Sequence, residues 1–112
     1  MPDDAEDRLS HLNDLLSQTI TLLEDHRETH WAAWLITSQN ELSSHDAHGL
    51  DRLLSAFGGV GSFNDLLVLG MNGHRVEPAQ EAAVNSRLYD LRGEIWVEAT
   101  ALRREARGSD EL

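Results

Sequence analysis

Residues 78–107 read PAQEAAVNSRLYDLRGEIWVEATALRREAR, and within them Val84, Leu88, Leu91, Ile95, Ala99 and Leu102 follow one another at steps of four, three, four, four and three. That spacing places six apolar side chains on one side of a helix and leaves the other sides polar. Pro78 suits the first turn, where its missing N–H would have had no partner. Glu77 and Glu81 precede the stripe and Arg103, Arg104 and Arg107 follow it, which suits the positive and negative ends of the helix dipole. The spacing predicts a long helix over about Pro78 to Arg107, with Ser109 to Leu112 in a frayed tail.

Working back from there, Asp3 to His48 contains no glycine or proline. Leu9, Leu12, Leu16, Ile20 and Leu23, widened by Leu15 and Leu22, predict a first helix from about Ala5 to Asp25. Asp3, Asp4, Glu6 and Asp7 sit at its start. The polar run Glu24 to His30 interrupts the rhythm, and Thr29 suits the cap of a second helix carrying Trp31, Trp34, Leu35 and Leu42. A single uninterrupted helix is the rival reading, but some 36 residues is far above the usual length of about 11–12. Ser43 to Asp46 is a string of capping types, after which Leu50, Leu53, Leu54 and Phe57 predict a third helix stopped at Gly58 and Gly59. Gly58 to Pro78 holds five of the eight glycines. Here Ser62 and Asp65 form a near capping box ahead of Leu66 to Leu69, which predicts a short helix, and Met71 to His74 reads as a turn. A hairpin pairing Val68–Leu69 with Arg75–Val76 ranks second, because two isolated strands are marginal. The expected fold is a single all-α domain over residues 1–112: a small bundle of four main helices, with a Gly-rich corner and a short helix or hairpin before the last. Residues 1–4 and 108–112 are expected to fray.

Composition bounds function. Of 112 residues, 28 are Leu, Ile, Val or Phe, enough for a core, and none is Cys, which removes disulfides, thiolate nucleophiles and Cys-held zinc. No run of about 18 apolar residues exists to span a bilayer, and the start MPDDAEDR is acidic where a signal peptide is basic, so a cytoplasmic protein is expected. A formal charge of −11 argues against nucleic acid and anionic membrane as partners. All nine basic residues are Arg, whose planar fork makes two-point ion pairs that Lys cannot copy.

The stretch AFGGVGSFNDLL, Ala56 to Leu67, resembles the most recognisable segment of an uncharacterised family of small bacterial proteins, usually Phe-Gly-Gly-Met-Gly-Ser-Phe/Leu-Asn-Asp-Leu. Val60 stands where Met is commoner. Trp31, Trp34-Leu35, Gly49, Leu53-Leu54, Asn85, Leu88 and Leu91 are similar as well, over about two thirds of the chain. The family is a domain of unknown function, so the resemblance implies a helical fold and no activity. Its members look like stand-alone proteins of toxin-immunity and interaction systems, which is analogy alone.

Three sets of residues are candidates for function. Gly58, Gly59, Gly61, Ser62, Asn64 and Asp65 form a loop whose backbone N–H groups suit an anion. A nucleotide loop, however, follows a strand and carries a Lys, whereas this one follows a helix and carries Asp65, so a helix-to-helix corner with positive φ is the preferred reading. His26 and His30, with His45 and His48, have spacings that a metal permits without requiring, and would need the two ends of the second helix to meet. The run His26 to His30 is not HExxH, and no G-x-S-x-G elbow occurs, so no catalytic residue and no cofactor is expected. On the last helix Asp90, Glu94 and Glu98 stand four apart, with Glu105 on the same side, and Tyr89 and Trp96 lie on the other flank. Like charges at that spacing repel by a few tenths of a kcal/mol, which a basic partner would relieve, and aromatics at a stripe's edge anchor interfaces when no other helix covers them. The resulting expectation is an acidic domain that binds a basic protein, as an immunity-type or regulatory factor does, with homo-oligomers compatible. The alternative is a small-ligand or metal-binding domain using the histidines or the Gly58–Asp65 corner.

Overall fold

Leu12, Leu16 and Leu23 near one end of the chain and Leu88, Ile95 and Ala99 near the other are completely buried. The two stripes face each other across one core. The structure, a computed structural model, describes residues 4–58 and 61–110, with side chains for 5–58 and 61–106. It comprises α1 (Asp4–Asp25), α2 (Thr29–Ser43), α3 (His48–Ser55) and α4 (Glu81–Asp110), with 3-10 turns at Phe63–Asp65, Gly70–Asn72 and Pro78–Gln80. No strand occurs among the described residues, so the fold is all-α, and no helix there is long and apolar enough to cross a membrane. The helices pack in a closed circuit in which α1 touches α2 and α4, and α3 touches α2 and α4. Buried hydroxyls within it turn back on their own helices: Thr19 donates to the Leu15 carbonyl at 2.7 Å and Ser38 to the Trp34 carbonyl at 3.1 Å.

The long helix follows its stripe. Leu88, Leu91, Ile95, Ala99 and Leu102 are buried and Val84 is half-buried. Its end differs from expectation: the backbone stays helical through Asp110, past the predicted stop at Arg107, since Gly108 costs a helix only about 1 kcal/mol. The terminal positions 1–3 and 111–112, like Gly59 of the loop set, lie outside the described residues. Pro78 opens a 3-10 turn that leads into α4, as its missing N–H allows.

The first two corners form without glycine. Arg27 adopts φ 59° and His45 φ 60°, both left-handed. Around Arg27 the Glu28 N–H donates to the Leu23 carbonyl at 2.8 Å and the Arg27 N–H to that of Glu24 at 3.1 Å. Around His45 the Asp46 N–H reaches the Glu41 carbonyl at 2.8 Å and the His45 N–H that of Leu42 at 3.0 Å. Both are Schellman closures that satisfy the last carbonyls of α1 and α2. The cap of α2 is Glu28 rather than the expected Thr29, because the longer side chain accepts from the Trp31 N–H at 2.8 Å while Thr29 is already the first helical residue. The α2–α3 crossing is close at Gly49, where a Cβ would lie 2.9 Å from the backbone nitrogen of Leu42 and 3.0 Å from the carbonyl oxygen of Ser38.

The glycine-rich segment departs most from its reading. In place of the predicted short helix only Phe63–Asp65 turn helically, and Leu66 and Leu69 are extended ahead of a second 3-10 turn at Gly70–Asn72. The cause is Asn85 of α4, whose amide accepts from the Val68 N–H at 2.7 Å and donates to the Val68 carbonyl at 2.9 Å, taking both groups a helix would have used. The capping box does not form. Asp65 accepts from the Gly61 N–H at 3.0 Å, and the buried Ser62 hydroxyl has no hydrogen-bond partner among the described residues. Gly73 takes φ 86° after Gly70–Asn72, but Arg75 donates to the His26 carbonyl at 2.9 Å, so no hairpin with Val68–Leu69 forms.

Candidate functional site

The end of α3 and the start of the glycine-rich segment are pulled together where the Phe63 N–H donates to the Ala56 carbonyl at 2.9 Å. Phe63 is thereby driven into the core, fully buried, and Phe57 packs across its edge with ring centres 5.7 Å apart. The aromatic chain continues in both directions. Trp31 of α2 lies 5.5 Å from Phe63, and Trp96 of α4 lies 5.3 Å from Phe57. The last ring in this chain is only partly covered, for Trp96 keeps 45% of its surface and Tyr89, two turns earlier, keeps 71%.

Between these two rings comes Gly93, where an added Cβ would meet nothing within 4 Å. The missing side chain leaves a groove of about 380 Å³ lined by Phe57, Asn64, Tyr89, Arg92, Gly93 and Trp96. Trp96 is also a wall of a second groove of about 570 Å³ along the α3–α4 seam, lined by Arg104 and by Arg103, which lies 3.7 Å from Asp51. Two of the predicted sets thus converge: Asn64 from the loop, and Tyr89 and Trp96 from α4. Gly61, with φ 79°, and Asp65 serve to shape the loop, since the Asp65 carboxylate already occupies the Gly61 N–H that an anion would have used. Gly58 is not left-handed, so the positive φ of this corner belongs to Gly61 alone among its described glycines.

Arg92, like Gly93, is a residue of this site that the sequence did not mark. It is 7% exposed, and its Nη1 donates to the carbonyls of Phe63 at 2.9 Å and Leu66 at 2.8 Å. Its guanidinium lies 5.8 Å from the centre of the Phe63 ring. Burial pulls its pKa below the ordinary arginine value, opposed by the nearby charge of Asp65 and by Tyr89. The signal available was its position, one residue after core Leu91 and seven after Asn85, which places both on the flank that meets the glycine-rich segment.

The acidic flank is less open than its spacing suggested. Arg8 of α1 reaches Glu98 and Glu105, each at 3.4 Å, and His11 lies 3.7 Å from Glu98. Repulsion at the Glu98 and Glu105 end of that row is therefore relieved from within the chain, and Asp90 and Glu94 are the exposed members with no ion-pair partner among the described residues.

The histidines are dispersed. α2 separates His26 and His30 from His45 and His48 by its length of 15 residues, about 22 Å, so its ends do not meet. His26 donates through Nδ1 to the Arg75 carbonyl at 2.6 Å, and His30 packs edge-on to Trp31 at 4.8 Å. His48 donates its backbone N–H to Asp46 at 3.0 Å, which, with its ring, holds that exposed carboxyl below the usual range. His45 forms the α2 corner. Among the described residues no three His, Asp or Glu side chains gather as metal ligands. His74 has partners that the sequence did not reveal: its Nδ1 accepts from the Leu69 N–H at 3.1 Å, leaving Nε2 to donate to Glu28 at 3.1 Å.

Residues 24–77 match the family described as Domain of unknown function (DUF6966). The resemblance to an uncharacterised family therefore holds for that stretch, which contains the segment Ala56 to Leu67. No curated protein and no solved structure matches the chain. The DUF6966 match runs from the last turn of α1 through α2, α3 and the glycine-rich segment, and ends before α4. The groove is consequently composite: Phe57 and Asn64 come from the DUF6966 stretch, and Tyr89, Arg92, Gly93 and Trp96 from the helix beyond it.

Proposed function

We propose that the protein works by binding another protein rather than by catalysis, and that the outer side of α4 is the surface it offers. The observation that carries this reading is the pair of exposed rings, Tyr89 and Trp96, set on either side of Gly93 on a helix whose inner stripe is buried from Leu88 to Leu102. Such aromatics bury large areas at little entropic cost, and pockets between them receive anchoring side chains. Asp90 and Glu94, which have no ion-pair partner among the described residues and lie one helix face away, attract basic residues flanking the anchor, so a partner with a basic surface approaches faster at low salt. A regulatory or immunity-type factor works in this way, by occupying a partner's surface.

The test is affinity capture from cells that make the protein, with the double variant Tyr89→Ser, Trp96→Ser beside wild type and Met71→Ser. Met71 is 88% exposed and outside the groove, so its variant controls for generic loss of apolar surface. A partner retained by wild type and Met71→Ser and lost by the double variant is the expected result. The same proteins captured by all three would contradict the reading.

A further inference from the structure

Three arginines beside the bundle have carboxylates: Arg8 has Glu98 and Glu105, Arg52 has Glu41, and Arg103 has Asp51. Arg92 is more buried than any of them, yet no carboxylate lies within ion-pairing distance of it among the described residues. In a chain with 20 acids and nine arginines that is anomalous, because buried charges are ordinarily paired. Both hydrogens of its Nη1 are committed to the carbonyls of Phe63 and Leu66. Nε and Nη2 donate to no described residue. These two form the side-on edge of the guanidinium, the edge that takes a carboxylate by two parallel hydrogen bonds. The Trp96 indole N–H, the Tyr89 hydroxyl and the Asn64 amide also make no hydrogen bond to a described residue, and the three residues line the same groove. No acidic side chain lines it.

From these donors without a partner among the described residues, on residues that line one groove between two aromatic rings, we infer that the groove binds a carboxylate attached to a large apolar side chain, namely the C-terminal residue of a partner polypeptide. The side chain lies between Tyr89 and Trp96 over Gly93, and the carboxylate completes the ion pair that Arg92 lacks. A volume of about 380 Å³ suits one residue, and the open side lets the rest of the partner chain leave. The inference rests on the outer side of α4 being the binding surface.

The test is a titration of the whole protein followed by ¹⁵N–¹H NMR at the Trp96 Nε1–H and Arg92 Nε–H signals. The probes are the peptide acetyl-Gly-Ser-Gly-Phe with a free carboxylate, the same peptide amidated, and phenylacetate. Expected are saturating shifts at both signals with the free peptide, and binding about tenfold or more weaker for the amide. Gly93→Leu, which fills the groove without meeting other atoms near its Cβ, should abolish the shifts in a protein that remains folded. Equal binding of acid and amide, no binding of either, or shifts that survive in Gly93→Leu would each overturn the inference. Phenylacetate binding more tightly than the peptide would assign the groove to a free acid and overturn the chain-end assignment. If the peptide fails while Tyr89→Ser, Trp96→Ser still loses a protein partner, the carboxylate inference falls and the binding surface stands.

Discussion

The two flanks of α4 solve the same problem differently. Toward α1, Arg8 is set between Glu98 and Glu105 and Arg87 donates to Gln18 at 2.8 Å, so these polar groups are met within the chain. Toward α3 and the glycine-rich segment, Asn85 and Arg92 spend their hydrogen bonds on backbone carbonyls and an N–H, and beyond them a guanidinium edge, an indole and a phenol have no partner among the described residues. A flank whose half-buried carboxylate, Glu98, is met from within the chain adds to the fold. One that leaves buried-side donors unanswered next to exposed rings is shaped for something from outside.

The largest expected effect breaks the core that both flanks share. Leu88→Ala or Leu91→Ala removes a completely or almost completely buried side chain and should cost about 2–5 kcal/mol in urea unfolding. A loss below about 0.5 kcal/mol would mean that the packed side of α4 is elsewhere. Next comes Asn85→Ala, which strips the Val68 N–H and carbonyl of their partners and should cost about 2–3 kcal/mol. Hydrogen exchange at the Val68 amide should accelerate in the same variant; unchanged exchange would show that the segment is held by other contacts.

How much of this was legible in the sequence follows from range. The inner stripe of α4 was readable because period 3.6 needs only neighbours along the chain, and its positions are the buried ones. The extended run Leu66 to Leu69 was not, because the group that decides it, the Asn85 amide, is 17 residues from Val68. The corners at Arg27 and His45 carried no glycine to announce them, and their left-handed turns are enforced by the packing of the helices they join. Tyr89 and Trp96 were legible as an edge pair, but Gly93 and Arg92, which turn an edge into a groove, were not. A glycine inside a helix pattern ordinarily reads as a mere loss of propensity, and Arg92 resembles any other arginine until the loop folds over it.

A smaller effect, of opposite sign, tests those corners. His45→Gly relieves left-handed strain and should stabilise by about 0.5–1 kcal/mol, read as a raised Tm. A fall in Tm would show that the imidazole itself supports the α2–α3 junction. The smallest effect belongs to the matched flank: Glu98→Gln should cost no more than about 1 kcal/mol, since Arg8 is a third exposed and keeps Glu105. A larger loss would make the charges of the α1–α4 seam central to the fold.

Gly93→Leu puts the division of labour to its most direct test, by measuring Tm and partner capture on the same protein. Leucine is a better helix former than glycine by roughly 0.5–1 kcal/mol and meets no atom near its Cβ, so Tm should be unchanged or higher while the partner is lost. Full capture by the variant, or a lowered Tm, would contradict the account by showing that the gap between Tyr89 and Trp96 is idle or that the fold needs it empty.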